Sequence, residues 1–139
     1  MKISYDHPYV SEMTTWRRDL HAHPETAFEE KRTSSMIADL LESWGLSVHR
    51  NIARTGVVAT LKKGSSSRAI ALRADMDALD LQEQTNVAHR STHDGKMHAC
   101  GHDGHSAMLL GAAKYLAYEG QFDGTVHFIF QPAEENFGG

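Results

Sequence analysis

Residues 69–77 read Ala-Ile-Ala-Leu-Arg-Ala-Asp-Met-Asp, and this stretch decides the fold. Its first six residues are mostly apolar and predict a buried strand, and two aspartates follow where that strand ends. A second strand is predicted over residues 125–130, which are rich in β-branched and aromatic side chains. A helix predicted over about residues 103–118 separates the two strands. Strand, helix, strand is typical of an α/β protein with a sheet that is at least partly parallel.

The rest of the chain fits around this unit. Helices are predicted over residues 8–20 and about 29–44, and further strands over residues 46–50 and 56–61. The fold class predicted from this order is α/β, with a mixed sheet flanked by helices, in a chain of one domain's length. The buried face of the helix over residues 103–118 is predicted to consist of Met108, Leu109, Ala112, Ala113 and Leu116.

Composition excludes several classes of partner. The formal net charge is -4, so no basic face favours nucleic acid or an anionic membrane. No apolar run approaches the ~20 residues of a membrane span, and we find no pattern of a secretory signal. The single cysteine cannot form an internal disulfide, which fits a reducing compartment. We therefore expect a cytoplasmic protein with no nucleic-acid or membrane partner.

The nine residues Met97-His-Ala-Cys-Gly-His-Asp-Gly-His105 carry the strongest chemical signal. They hold three imidazoles, one carboxylate and the only cysteine. Cys100 and His102 are candidate metal ligands, and the two glycines permit the irregular backbone that such a pair needs. The spacing is not that of a structural zinc finger. The helix after this segment directs its positive N-terminus at Cys100, which predicts a thiolate there.

Two acidic pairs complete the candidate site. Glu134 and Glu135 follow the last strand, so that one can bind metal while the other accepts a proton from metal-bound water. The residues alone do not say which glutamate does which. Asp75 and Asp77 could bind metal or orient an imidazole ligand. Because ligands bind beyond the carboxyl ends of strands in such sheets, we expect these pairs to converge on the cysteine–histidine segment.

Other polar residues have more than one interpretation. His21 and His23 could belong to the functional site or could make local hydrogen bonds in a turn. Arg17-Arg18 is predicted to lie on a solvated helix face. Candidates for substrate contact are His93, His98 and His105. A cysteine hydrolase using Cys100 is a weaker hypothesis, because it leaves the two glutamates unexplained.

Four blocks then reveal a family resemblance. They are residues 17–25 (RRDLHAHPE), 72–79 (LRADMDAL), 97–105 (MHACGHDGH) and 130–135 (FQPAEE). In this order the chain resembles the dinuclear-metal amidohydrolases of the aminoacylase/carboxypeptidase superfamily. The most similar branch contains hippurate hydrolase, N-acyl-amino-acid amidohydrolases and auxin-conjugate hydrolases.

The resemblance implies a zinc-exopeptidase-like catalytic domain with two divalent ions, zinc or manganese, with cobalt and nickel as alternatives. It implies Cys100, His102 and Glu135 as metal ligands, Glu134 as general base and Asp77 as a carboxylate beside the metals. The implied reaction is hydrolysis of the linear amide bond of N-acyl amino acids. The alternatives are a dinuclear exopeptidase (dipeptidase or carboxypeptidase) and a non-catalytic metal-binding fragment.

The resemblance also implies an incomplete enzyme. Residues 1–139 match the N-terminal portion of the family's catalytic domain, without its C-terminal remainder or the smaller dimerisation and lid domain. We therefore expect impaired activity from the 139-residue chain alone. The partners implied for full-length relatives are small-molecule N-acyl amino acids or peptides, and a second copy in a homo-oligomer.

Overall fold

The computed structural model describes residues 7–136 and residue 138. Its helices are α1 (Pro8–Ala22), α2 (Lys31–Ser43) and α3 (His102–Tyr118), and its strands are β1 (Ser47–Ile52), β2 (Gly56–Lys63), β3 (Ala69–Asp75) and β4 (Gly124–Gln131). Each predicted helix and strand is present, with bounds within two residues of the prediction. The predicted α/β class with a mixed sheet and flanking helices is confirmed.

The four strands form one sheet in the order β1-β2-β4-β3. Strand β2 pairs antiparallel with both β1 and β4, whereas β3 pairs parallel with β4. The chain reaches β4 from β3 through α3, as a parallel pair requires a crossover connection. The carboxyl ends of β3 and β4 therefore lie side by side, with Asp75 opposite Gln131.

The core lies between one face of the sheet and the helices. Alternate residues of β4 are buried, including Phe128 and Phe130, as expected for a strand with one face toward a core. Helix α2 packs on β1 and β2, α3 packs on β3 and β4, and α1 packs on α3. Helix α3 is thus held between the sheet and α1, which fixes its N-terminus above the edge where β3 and β4 end.

The buried face of α3 differs from the prediction. Leu109 and Ala113 are buried as expected, but Met108 is 56% exposed and Ala112 and Leu116 are only partly buried. Leu110, which was not expected there, is fully buried because α3 contacts both the sheet and α1, so that its buried surface is not a single helical stripe.

Within the described residues, no helix has the length and apolar character needed to cross a membrane. The cytoplasmic location stays a prediction.

Candidate metal centre

One sulfur, one nitrogen and one oxygen donor lie close together at the edge of the sheet where β3 and β4 end. Cys100, His102 and Glu135 each offer one ligand atom, and these atoms all lie within 4.8 Å of one another. They come from different places: Cys100 precedes α3, His102 begins it, and Glu135 follows β4. The structure thus brings together the three residues that the resemblance implies as ligands.

The His102 ring lies at the centre of this group and is buried. Its Nδ1 atom is 3.3 Å from Asp77 Oδ1, and its Nε2 atom is 3.6 Å from both Asp75 Oδ1 and Glu135 Oε1. Burial opposes the charged imidazolium, but the surrounding carboxylates, with Asp77 first, outweigh burial and raise the pKa of His102.

Asp77 connects this ring to the turn after β4. Its two carboxylate oxygens accept hydrogen bonds from the backbone amides of Glu134 (3.1 Å) and Glu135 (3.0 Å). Burial of the carboxyl would raise its pKa, but His102 and these two amides outweigh burial and lower the pKa of Asp77. Asp77 therefore stays ionised and fixes the two glutamates relative to His102.

The two glutamates point to different surroundings. Glu135 Oε1 is buried and, among the described residues, has no hydrogen-bond partner. The Glu134 side chain is 41% exposed, and its Oε2 atom is 3.9 Å from His102 Nε2. One carboxylate thus lies inside the donor group and the other borders it on the solvent side.

Cys100 differs from its prediction. The thiol is exposed, and contact with Glu135, then partial burial and the charges of Glu134 and Asp75, raise its pKa to about 11. The expected thiolate is therefore wrong for the metal-free protein, because nearby carboxylates outweigh the partial charge of the helix N-terminus.

Comparison with known proteins finds relatives of similar sequence. Residues 71–139 match the model of peptidase family M20/M25/M40. The chain is 51% identical to the hippurate hydrolase of Campylobacter jejuni over 88% of its own length and 32% of that protein. It is 44% identical to the N-acyl-L-amino acid amidohydrolase of Geobacillus stearothermophilus, covering 93% of the chain and 35% of that protein.

A crystal structure of a dinuclear metal binding peptidase from the M20 family of Bacillus subtilis superposes with a TM-score of 0.87. The two proteins are 45% identical, over 94% of this chain and 37% of the other. Residues 71–139 of this chain belong to peptidase family M20/M25/M40. The resemblance and the predicted exopeptidase-like fold are thereby confirmed. This M20 chain spans about a third of the length of the curated relatives it matches.

Asp75 and His105 extend the M20 site on its other side. His105 Nδ1 lies 2.7 Å from Asp75 Oδ1, and the His105 ring stacks on that of His102 with centroids 5.6 Å apart. Arg73 contacts the second oxygen of Asp75 at 2.9 Å. The donor atoms of Asp75, His102 and His105 form a second group that could hold a metal ion.

The other two histidines proposed for substrate contact lie in different surroundings. His98 is buried, and neither ring nitrogen has a hydrogen-bond partner among the described residues. Burial lowers its pKa to about 4, so His98 is neutral at pH 7. His93 is within hydrogen-bond distance of the Pro24 carbonyl, 2.9 Å from its Nδ1 atom.

Glu30, which was not among the predicted site residues, holds the turn that carries Glu134 and Glu135. Glu30 is fully buried and accepts hydrogen bonds from the Ala133 amide (2.8 Å) and the Thr55 hydroxyl (2.6 Å). Ala133 has a φ of 52°, a left-handed conformation that is uncommon without glycine. No motif singled out Glu30, because its partners lie 25 and 103 residues away.

The predicted solvated helix face holds for Arg18, which is exposed, and in part for Arg17, whose side chain is 43% exposed. In addition, the Arg17 guanidinium donates from Nε to Asp103 Oδ2 at 2.9 Å, a contact that was not predicted. The His21 ring contacts the same oxygen from the end of α1.

Proposed function

We propose that this chain is the N-terminal portion of the catalytic domain of a metal-dependent amidohydrolase that cleaves the amide bond of N-acyl amino acids. In this proposal the smaller dimerisation and lid domain of the family lies outside residues 1–139. The observation that carries it is the convergence of Cys100, His102 and Glu135, with the Glu134 carboxylate at the border of the group. The names of the similar curated proteins supply the substrate class.

The residues present fit a divalent cation. Glu135 Oε1 is a buried carboxylate oxygen without a hydrogen-bond partner among the described residues, and leaving such an atom unpaired is costly. It faces His102 Nε2, and the exposed Cys100 thiol completes a mixed sulfur, nitrogen and oxygen set. Such a set suits zinc, and manganese, cobalt or nickel are alternatives. The family's second ion would need further ligands, for which Asp75 and His105 are the nearest candidates.

The roles of the chain's own residues follow from their positions. Cys100, His102 and Glu135 would hold the ion, which when bound polarises a carbonyl and lowers the pKa of water. Asp77 faces His102 Nδ1, which leaves Nε2 free to bind, and it orients the amides of both glutamates. Glu134 is the general base: its carboxylate accepts a proton from the attacking water and delivers that proton to the leaving amine nitrogen.

A dinuclear exopeptidase is the second candidate, and the B. subtilis structure described as a peptidase favours it. Both reactions need the same base and ligands, so the residues described here serve either one. The two differ on the acyl side of the scissile amide, where a dipeptide carries a free α-amino group and an N-acyl amino acid does not. Parallel assays with an N-acyl amino acid and a dipeptide distinguish them.

The function is tested by grafting. Residues of this chain replace the matched third of the Campylobacter jejuni hippurate hydrolase, and hydrolysis of N-benzoylglycine is measured after loading with zinc or manganese. We expect the chimera to be active, and the 139-residue chain alone to bind metal with little turnover. A chimera that folds, binds metal and fails to hydrolyse any N-acyl amino acid would contradict the proposal.

Glu134→Gln tests the base in the same chimera. Turnover should fall by a factor of about 10²–10⁴, the usual contribution of general base catalysis, while metal content stays unchanged. Glu29→Gln is the control, because Glu29 is exposed and lies in the segment before α2. Turnover that survives Glu134→Gln would exclude Glu134 as the base.

A further inference from the structure

His21 lies where three separate segments of the chain meet. It is buried in the last turn of α1. Its Nδ1 atom is 2.8 Å from Asp103 Oδ2 in the first turn of α3, and its Nε2 atom is 3.3 Å from Glu83 Oε1 in the segment between β3 and α3. A single imidazole thus joins the end of one helix, the start of another and the middle of a long connection.

Carboxylates lie at both nitrogens of the His21 ring. Asp103 and Glu83 are each within hydrogen-bond distance of one nitrogen, and Arg17 donates from Nε to the same Asp103 oxygen. The side chains of His21, Asp103 and Glu83 are only 6%, 1% and 2% exposed, so loss of the His21 ring would leave two buried carboxylates without this partner.

The segments joined by His21 carry the proposed ligands. Asp103 is the residue after His102, and the connection anchored by Glu83 ends at Cys100. Glu83 Oε2 accepts the Ser91 amide at 2.6 Å, which ties a second point of that connection to the same carboxylate. Cys100 and His102 therefore belong to two segments that His21 holds in one arrangement.

The start of α3 needs such an anchor. Gly101 is its N-cap, in a left-handed conformation with φ 82° and without a capping side chain. A side-chain cap at a helix start stabilises the helix, and α3 lacks one. The contact from His21 and Arg17 to Asp103 holds this turn from outside the helix instead.

We propose that His21 is a positioning residue, which holds the first turn of α3 so that His102 and Cys100 are arranged to bind one ion. This inference rests on the proposed function where it concerns the ion, and on the hydrogen-bond geometry alone where it concerns the helix. His21 itself is not a ligand and does not contact the substrate.

The test compares His21→Gln with His23→Gln in the 139-residue chain. His23 is two residues away, and within the described part of the chain its side chain contacts the Asp19 carbonyl and carboxylate and the ring of His93. Cobalt(II) is titrated into each protein, and both affinity and the visible spectrum of the bound ion are recorded. We expect His21→Gln to weaken cobalt binding by a factor of about 10–100 and to change the spectrum, and His23→Gln to match the wild type.

Hydrogen exchange in the metal-free proteins provides an independent readout. The amides of Gly104 and His105 donate to the Gly101 carbonyl in the first turn of α3. They should exchange faster in His21→Gln and at the wild-type rate in His23→Gln. If the wild type binds no cobalt, the proposed metal site fails, while this exchange result still decides the role of His21.

Asp103→Asn separates positioning from folding. Asparagine keeps the shape of the side chain. The loss of cobalt affinity in the double variant should be smaller than the sum of the losses in the two single variants, because both changes break the same contact between His21 and Asp103. If His21→Gln fails to fold, Asp103→Asn must show the same weakened binding and altered spectrum. Wild-type binding and exchange in the folded variants, or unfolding of both, would overturn the proposal.

Discussion

The reactivity of Cys100 is set by its neighbours more than by its exposure. An exposed thiol at a helix N-terminus would ordinarily be ionised easily. Here the Glu135 carboxylate beside it raises the pKa of Cys100 to about 11, with Glu134 and Asp75 adding to the effect. In the metal-free protein the group is therefore a neutral thiol at pH 7.

This cause can be tested by removing the carboxylate. Glu135→Gln should lower the pKa of Cys100 toward its ordinary value and speed its alkylation at pH 8.5 about tenfold, allowing for the weaker nucleophilicity of a less basic thiolate. Alkylation rates are measured over pH 7–11 in chelator. Glu134→Gln is the matched control with a smaller expected effect, since Glu134 acts on the thiol only through its charge. Equal rates in the wild type and Glu135→Gln would contradict this cause.

At the scale of elements, strand β4 carries both the core and the site. Its alternate residues Val126, Phe128 and Phe130 are buried, and the turn after it presents Glu134 and Glu135. Because β4 lies between β2 and β3, its position depends on packing from both neighbours. The positions of Glu134 and Glu135 therefore depend on the register of β4 against β2 and β3.

Phe128→Ala should therefore be strongly destabilising. Phe128 is fully buried, and its truncation should lower the free energy of unfolding by about 3–5 kcal/mol, measured by urea denaturation. Ile70→Ala on the edge strand β3 is the control, because Ile70 is 60% exposed and should lose less than about 1 kcal/mol. Similar losses in both variants would mean that the core does not lie on the face described.

At the scale of the whole molecule, the site joins distant segments of the chain. Cys100 precedes α3, His102 begins it and Glu135 follows β4, so an ion held by these three residues would tie these segments together. Binding to the folded state alone adds RT ln(1 + [L]/Kd) to stability, about 2.7 kcal/mol at a hundredfold excess over Kd.

Saturating zinc should therefore raise the Tm of the 139-residue chain by about 10 °C. Thermal unfolding is followed by circular dichroism with and without zinc, and chelator should reverse the rise. Cys100→Ser should reduce the shift without changing the Tm in chelator, since Cys100 is exposed. A zinc-independent Tm, or an undiminished shift in Cys100→Ser, would argue against the proposed ligand set.

The helices and strands, the α/β class and the small set of residues from which the candidate site is built can be predicted from the amino-acid sequence. Apolar periodicity and turn residues act over a few neighbours, so their outcome is visible locally, as for β3 and α3. The clustering of Cys100 and His102 with acidic pairs at strand ends likewise predicted a metal site without any coordinates.

How that site is held depends on the tertiary structure. Glu30 contacts Ala133 at a separation of 103 residues, and Arg17 contacts Asp103 at 86. His21 contacts Asp103 and Glu83 at separations of 82 and 62 residues, and no local pattern encodes such pairs. The raised pKa of Cys100 and the burial of Leu110 also depend on what packs against them. Long-range burial and charge decide these properties, because both depend on distance in space rather than along the sequence.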